Sequence, residues 1–405
     1  MSILIGTGLT QAVCQVANVS SSSMAKADFE EFDDKISEYA QTTAIKMGRD
    51  NPNIEDQIRT SFQLLEGYKI LGDTKNEINL ERIINDVLFK FTKSIADSEK
   101  DFINKLERND VKAQLALNLL TSFLLTFSSR NATRDRLHIF TTNYDRFIEY
   151  ACDNASIKII DRFFGKIQPT YQETLPNIDY YYKTPDTKNE FRYAEGVVRY
   201  TKIHGSIDWI SKNNKIIQSC IPFGCGDIAS KLCDLQKNLM IYPNSMKSIE
   251  TAYYPYSQLF RDFSTAICRQ NSSLVVYGYG FGDSHINKIL IEMLQIPSAH
   301  LVIISYTIDD RLINFLESVN ADQITLLCGP DIAALDKLVT NYLPISAIDN
   351  ITERVADLMK RREIPGLVSS DTDKLSDSNN QELTLNLDAN QGKVMCDDEV
   401  VTNEI

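Results

Sequence analysis

The sequence predicts an α/β chain: an open parallel sheet, an inserted α-helical subdomain and an acidic C-terminal tail expected to be disordered. Three observations predict it. Short apolar runs recur, and each stops abruptly in glycines or a polar cluster: Ser2–Ile5 before Gly6-Thr7-Gly8-Leu9-Thr10, His138–Phe140 before Thr141-Thr142-Asn143-Tyr144-Asp145, Val197–Ile203 before His204-Gly205-Ser206, and Ser273–Tyr277 before Gly278-Tyr279-Gly280-Phe281-Gly282-Asp283. Between the first two lies a stretch of different texture, rich in Glu, Lys, Asp, Leu and Ile at helical spacing. After Pro365-Gly366 the chain turns into a low-complexity Ser/Asn/Asp-rich segment. The expected organisation is 1–19 as first strand and glycine loop, 20–130 as helical insertion, 131–365 as the rest of the core and 366–405 as tail.

Taken in order, Ser2–Ile5 reads as a strand running through a Gly-x-Gly turn into a helix. Glycines admit a close backbone approach, and the N–H groups of a helix N-terminus complement an anion, so a phosphate-bearing ligand suits this turn. Gln11 occupies the place of a third glycine, which leaves an ordinary strand-to-helix turn as the plainer alternative. In the insertion, helices are expected over Asn79–Leu106 and Val111–Phe127. The second is apolar nearly all round (Leu115, Leu117, Leu119, Leu120, Phe123, Leu124, Leu125), which predicts burial on several sides. A lid over a ligand and an oligomer surface are equally open roles for this block.

From Leu137 the strand–helix alternation resumes. His138–Phe140 predicts a short buried strand with a helix from Arg146, and Ser156–Ile160 a further strand. Phe163–Glu195, rich in Tyr and Pro, is expected to be irregular. Strands follow at Val197–Ile203, Asn238–Tyr242, Ser273–Tyr277, Leu301–Tyr306 and Gln323–Leu327. Helices are expected over Tyr256–Gln270, Ser284–Gln295 with Asp283 as its cap, Asp331–Tyr342 and Ile351–Arg361. In open α/β sheets ligands sit beyond the carboxyl ends of the strands, so the polar strand ends are where chemistry is expected. Helix capping by Thr142, Asn143 and Asp145 is the competing account.

Composition narrows the function classes. The net charge is −13. Residues 366–405 hold nine acidic against two basic side chains, a net of −7, leaving −6 on the rest and mildly disfavouring a nucleic-acid-coating surface. Eight cysteines occur without CxxC pairs, which predicts buried thiols rather than disulfides or a four-cysteine zinc site. No transmembrane run or signal peptide is legible, so a cytoplasmic location is expected.

The four clusters in this order resemble the sirtuin-like NAD-hydrolysing proteins of bacterial antiphage defence, and most closely the sirtuin-like subunit that works beside a HerA-type ATPase. The likeness covers most of Ile139–Leu294, including Tyr200–Ser206, Ile241-Tyr242-Pro243 and Gly278–Asn287. Relatives carry Gly-Ala-Gly-x-Ser in the first loop, where this chain has Thr7 for the alanine and keeps a hydroxyl at Thr10. The zinc ribbon of deacylating sirtuins has no counterpart, which weighs against a deacylase.

The resemblance implies a sirtuin-like Rossmann core that hydrolyses NAD to nicotinamide and ADP-ribose and depletes the cell of NAD. It implies NAD as substrate, no metal, a higher-order homo-oligomer and a HerA-type hexameric ATPase as partner. Asn143 would hold the nicotinamide ribose hydroxyls and orient a water, and His204 would be the general base. Asp145 would stabilise developing positive charge or fix Asn143, with helix capping an equal alternative. The backbone of Gly6, Gly8 and Thr10 would cradle the pyrophosphate, with Thr7 and Thr142 nearby. Gly278, Gly280, Gly282 and Asp283 would form the far wall near the adenosine ribose. His138, His285 and His300 are expected to be structural. A catalytically silent NAD- or ADP-ribose-binding scaffold or sensor in an ATPase/nuclease complex is the alternative, favoured by Thr7. A direct part in DNA cleavage has no carboxylate cluster to support it.

Overall fold

The computed structural model of the protein describes residues 1–22, 26–46, 52–129, 135–173, 178–183, 191–194, 196–213, 215–225 and 255–343. The expected strand Asn238–Tyr242, the Ile241-Tyr242-Pro243 phrase, the helix Ile351–Arg361 and the tail lie outside them.

Seven strands form one sheet: β1 (Ser2–Ile5), β2 (Leu137–Thr141), β3 (Lys158–Ile160), β8 (Val197–Lys202), β11 (Ser273–Tyr277), β12 (His300–Ser305) and β13 (Ile324–Cys328), in the order β13-β12-β11-β1-β2-β8-β3. Every pairing in it is parallel. Parallel sheets are covered on both faces, and the sequence meets that demand with short, nearly continuous apolar strands. Side chains alternate between the two faces. Ile3, Ile5, Ile139, Val275 and Tyr277 pack on one side with helices α1 (Thr7–Ala17), α5 (Val111–Ser128) and α6 (Phe147–Asn154). Leu4, Phe140, Val276, Leu301 and Ile303 pack on the other with α7 (Tyr256–Ile267) and α8 (Ser284–Leu294). The result is a three-layer sandwich.

The helical block contains α2 (Asp33–Lys46), α3 (Ile54–Leu71) and α4 (Thr74–Glu107) besides α5. Each of the last three begins on a side-chain cap: Asn53 with Asp56 in a reciprocal box, Asp73, and Asp110. Helix α5 is the one segment, among the described residues, long and apolar enough to cross a membrane. It serves instead as a core helix, with Leu119, Leu120, Phe123, Leu124 and Leu125 buried against α1 and the sheet, while Leu115 stays half exposed. Helices α2 to α4 build a separate apolar cluster around Phe29, Ile58, Ile84 and Phe91. That cluster also takes in Tyr144 and Ile207, from the loops after β2 and β8. The insertion therefore rests directly on two strand-end loops.

Two expectations need correction. Phe163–Glu195 is not simply irregular, because β4 (Phe163–Phe164) pairs with β5 (Thr170–Tyr171), and β6 (Tyr181–Lys183) with β7 (Phe191–Tyr193). The first pair joins β9 (Trp209–Lys212) and β10 (Lys215–Gln218) in a small antiparallel sheet, a partnership that local sequence does not announce. Asp331–Tyr342 is not one helix either. It breaks at Ala334, whose backbone is extended at φ −60°, ψ 135°. Tyr277 Oη donates to the Ala333 carbonyl at 3.0 Å, which draws that oxygen away from a helical ladder.

Candidate active site

Strand order reverses beside β1: the chain moves from β1 to β2 on one side, and β11, β12 and β13 lie in sequence on the other. Such switch points open a crevice at the carboxyl ends of the strands. Both glycine loops meet there. Gly8 N–H donates to Gly278 O at 2.9 Å, and a Cβ on Gly8 would lie 2.6 Å from Gly278 Cα. Gly278 takes φ +66°, where a side chain would be strained and would also strike the Leu9 nitrogen at 2.7 Å. The two loops are thus fitted back to back. Gly8→Ala is expected to lower stability by about 1–3 kcal/mol through backbone displacement, read as a reduced melting temperature.

On the β2 side, register places Ile5 beside Thr141. Thr141 Oγ1 donates to Ile5 O at 3.0 Å and accepts the Asn143 N–H at 3.1 Å, which fixes the turn that carries Asn143. Thr142 is buried in the same turn, and its N–H also donates to Ile5 O. Thr10, on the first helix, joins the turn from across the crevice. Its hydroxyl donates to Asp145 Oδ2 at 2.7 Å and accepts from Asn143 Nδ2 at 3.0 Å. A carboxylate can only accept, so the Thr10 proton points to Asp145 and the Asn143 group facing Thr10 must be its NH2. The amide oxygen Oδ1 is left buried with no hydrogen-bond partner. A buried acceptor without a donor is costly, and a ligand hydroxyl would satisfy it.

Asp145 uses both oxygens within the protein, since Oδ1 accepts the Phe147 N–H at 3.3 Å at the start of α6. It accepts the N–H of the first residue of α6 from the position before the N-cap, Arg146, and, through Thr10, orients Asn143.

His204 lies two residues past the end of β8 and is buried. Its Nε2 lies 2.9 Å from Asp283 Oδ2, while Asp283 Oδ1 accepts the His285 N–H and caps α8. One carboxylate therefore holds the imidazole and starts a helix. Lys202, two residues before the histidine, donates to the carbonyl oxygens of Tyr144 and Asp145 and, at 2.9 Å, to Glu149 Oε1. It ties the Asn143 loop to the His204 loop.

The structure thus brings Thr10, Asn143 and Asp145 into one cluster and joins His204 to Asp283. Gly6, Gly8 and Gly278 meet at the loop contact. Gly280 and Gly282 lie instead beside Arg311, whose guanidinium would be 3.5 Å and 3.3 Å from a Cβ at those positions. Thr7 begins α1, between Gly6 and Gly8. A cavity of about 510 Å3 opens beside Gly8 and Gly278, walled by Gln11, Tyr306, Thr307 and Asp336, within the size range of small-molecule sites. Sequence reasoning missed the Asp283–His204 pairing, the bridging Thr10 hydroxyl, Lys202 and Arg311. Two of these carried a signal: the Thr10 hydroxyl, as the counterpart of the serine in the relatives' first loop, and Lys202, as part of the Tyr200–Ser206 phrase.

The remaining histidines each have contacts within the protein. His138 Nε2 contacts Thr201 Oγ1 at 2.9 Å, its ring stacks on Phe140, and burial holds its pKa down at about 3. His300 pairs with Thr325 on the neighbouring strand, and His285 packs edge-on to Phe260. Among the described cysteines none is in a disulfide, and burial pushes the Cys14 thiol up to about 12.

Comparison with known protein families matches residues 137–324 to the SIR2-like domain. The chain contains a SIR2-like domain. Its match runs from β2 into β13 and includes Asn143, Asp145, His204, Gly278 and Asp283. It begins after β1 and α1, although β1 lies in the middle of the same sheet and Thr10 in the same cluster. SIR2-like domains bind NAD, and the seven-stranded parallel sheet agrees with a sirtuin-like fold. No curated protein matches the chain.

Proposed function

We propose that the protein hydrolyses NAD to nicotinamide and ADP-ribose at the crevice between the two glycine loops. The observation that carries this reading is the unpartnered Asn143 Oδ1, buried at the switch point of a SIR2-like sheet. A ribose hydroxyl would donate to that oxygen, and the Thr10 bond prevents the amide from turning its NH2 toward the ligand instead. His204, held by Asp283, would take a proton from a ribose hydroxyl or from the attacking water; imidazole suits that role near neutral pH. Cleavage of the nicotinamide–ribose bond develops positive charge on the ribose, as in glycoside cleavage. Asp145 contributes by orientation, since both its oxygens are engaged. The 510 Å3 cavity beside Gly8 and Gly278 would take the adenosine end.

The proposal extends to an antiphage effector that depletes cellular NAD, acting as a homo-oligomer with a HerA-type ATPase. Its support is the order of the four strand-end clusters. The scaffold alternative has one observation on its side: Gly8 N–H is bound to Gly278 O and is not available to a pyrophosphate in this arrangement.

The test is nicotinamide release from NAD by the purified full chain, alone and with a co-expressed HerA-type ATPase, beside Asn143→Ala and His204→Ala variants of unchanged assembly size. Loss of turnover in both variants is the expected result. Turnover that survives both would place the chemistry elsewhere. Retained nucleotide without nicotinamide release under either condition would favour the scaffold.

A further inference from the structure

A second cavity, of about 210 Å3, lies beyond the ends of β3 and β8, against the small antiparallel sheet. It is lined by the polar residues Glu149, Asp161, Tyr200 and Lys202 and by the rings of Phe163, Tyr171 and Trp209. None of these residues belongs to the proposed NAD contacts.

Its polar groups are unbalanced in one direction. The cations that line it are engaged with the protein. Lys202 donates to two carbonyls and Glu149, and Arg162 makes a two-point pair with Asp262 at 2.7 Å while donating to the carbonyls of Gln172 and Glu173. The acceptors are not matched in the same way. Glu149 Oε2 and the hydroxyl of Tyr200, a residue only 5% exposed, are buried beside each other with no further hydrogen-bond partner. Asp161 accepts the Phe163 N–H at Oδ1, and burial raises its carboxyl to about 6. In the same lining the rings of Phe163 and Trp209 lie 4.9 Å apart, and Tyr171 completes the aromatic group. A pocket lined by two carboxylates, each with only one oxygen held by an N–H, and by three aromatic rings suits a cation with an apolar body.

We propose that this cavity binds a small organic ammonium ion, its charged head between Glu149, Asp161 and Tyr200 and its body against Phe163, Tyr171 and Trp209. The space is about seven times the ~30 Å3 share of one water, enough for one small molecule. The site would also communicate. A head group drawing on Glu149 competes with Lys202, whose other two hydrogen bonds hold the Asn143 loop. The binding claim is independent of NAD cleavage.

The experiment is calorimetric titration of the full chain with methylammonium, butylammonium and benzylammonium chloride, and with benzyl alcohol as a neutral isostere. Benzylammonium is expected to bind about tenfold or more tightly than the alcohol, because only the cation gains charge-assisted bonds to the carboxylates. Asp161→Asn is expected to weaken the cation about tenfold while leaving the alcohol unchanged. The comparison of the two probes on the unaltered chain needs no variant to fold. Absence of binding by all three cations would leave water as the occupant and overturn the proposal. Equal binding of cation and alcohol, or benzylammonium binding indifferent to Asp161→Asn in a folded variant, would overturn it as well.

Discussion

Asp283→Asn is expected to lower nicotinamide release by about 10^2- to 10^4-fold while leaving the fold intact. The carboxylate has two duties, His204 Nε2 on one oxygen and the His285 N–H at the start of α8 on the other. An asparagine can keep the second by turning its oxygen to the helix. It must then present its NH2 to Nε2. That nitrogen carries the proton when it faces a carboxylate and must lose it when it faces a donor, so the proton moves to Nδ1 and the imidazole presents the wrong tautomer. Groups that orient a histidine in this way act on rate more than on stability. The measurement pairs nicotinamide release with thermal melting. Activity within about threefold of the parent would mean that His204 is not the base, or that Asp283 does not set its tautomer.

The largest stability effect is expected from Glu99→Ala, at about 3–5 kcal/mol. Glu99 is fully buried in α4 and meets Arg146 with Oε2 at 2.6 Å from Nη2, while its Oε1 accepts the Arg146 backbone N–H at 2.9 Å. Truncating the acid leaves the guanidinium of Arg146, a residue only 6% exposed, with the carbonyls of Ile221 and Pro222 as its remaining hydrogen-bond partners. Urea unfolding should show the loss, and a double variant with Arg146→Met should recover part of it, because the orphaned charge is then removed as well. A cost below about 1 kcal/mol for the single change would show that the pair is hydrated in solution. Because Arg146 directly follows Asp145, the same change should loosen the Asn143 turn and lower turnover.

Strand ends were legible because each combines a β-prone apolar run with an abrupt stop, and both signals are local. Ser2–Ile5 and Ser273–Tyr277 were read with the bounds they have, and Asp283 was read as the cap it is. What sequence could not supply is which ends face each other. Thr10 and Asp145 are 135 residues apart, and their contact depends on the β1–β2 register and on the path of α1. Asp283 was legible in one duty and not in the other, because the His204 bond requires β8 and β11 to sit in one sheet with two strands between them. The helix expected over Asp331–Tyr342 failed for a similar reason, since the interruption comes from a tyrosine hydroxyl on β11.

The back-to-back fit of the glycine loops also orders events on the ribosome. The first strand synthesised takes an interior place in the sheet, and Leu4 needs Phe140 on one side and Val276 on the other. Contacts so distant in sequence close late in folding. A nascent chain that has emerged only through Ser206 already carries Thr10, Asn143 and His204, yet lacks both the Gly278 half of the crevice and the carboxylate that aligns the imidazole. If the protein hydrolyses NAD as proposed, a chain that stops short of α8 would lack the residues that complete the site, and so would not yet turn over a cofactor every cell needs.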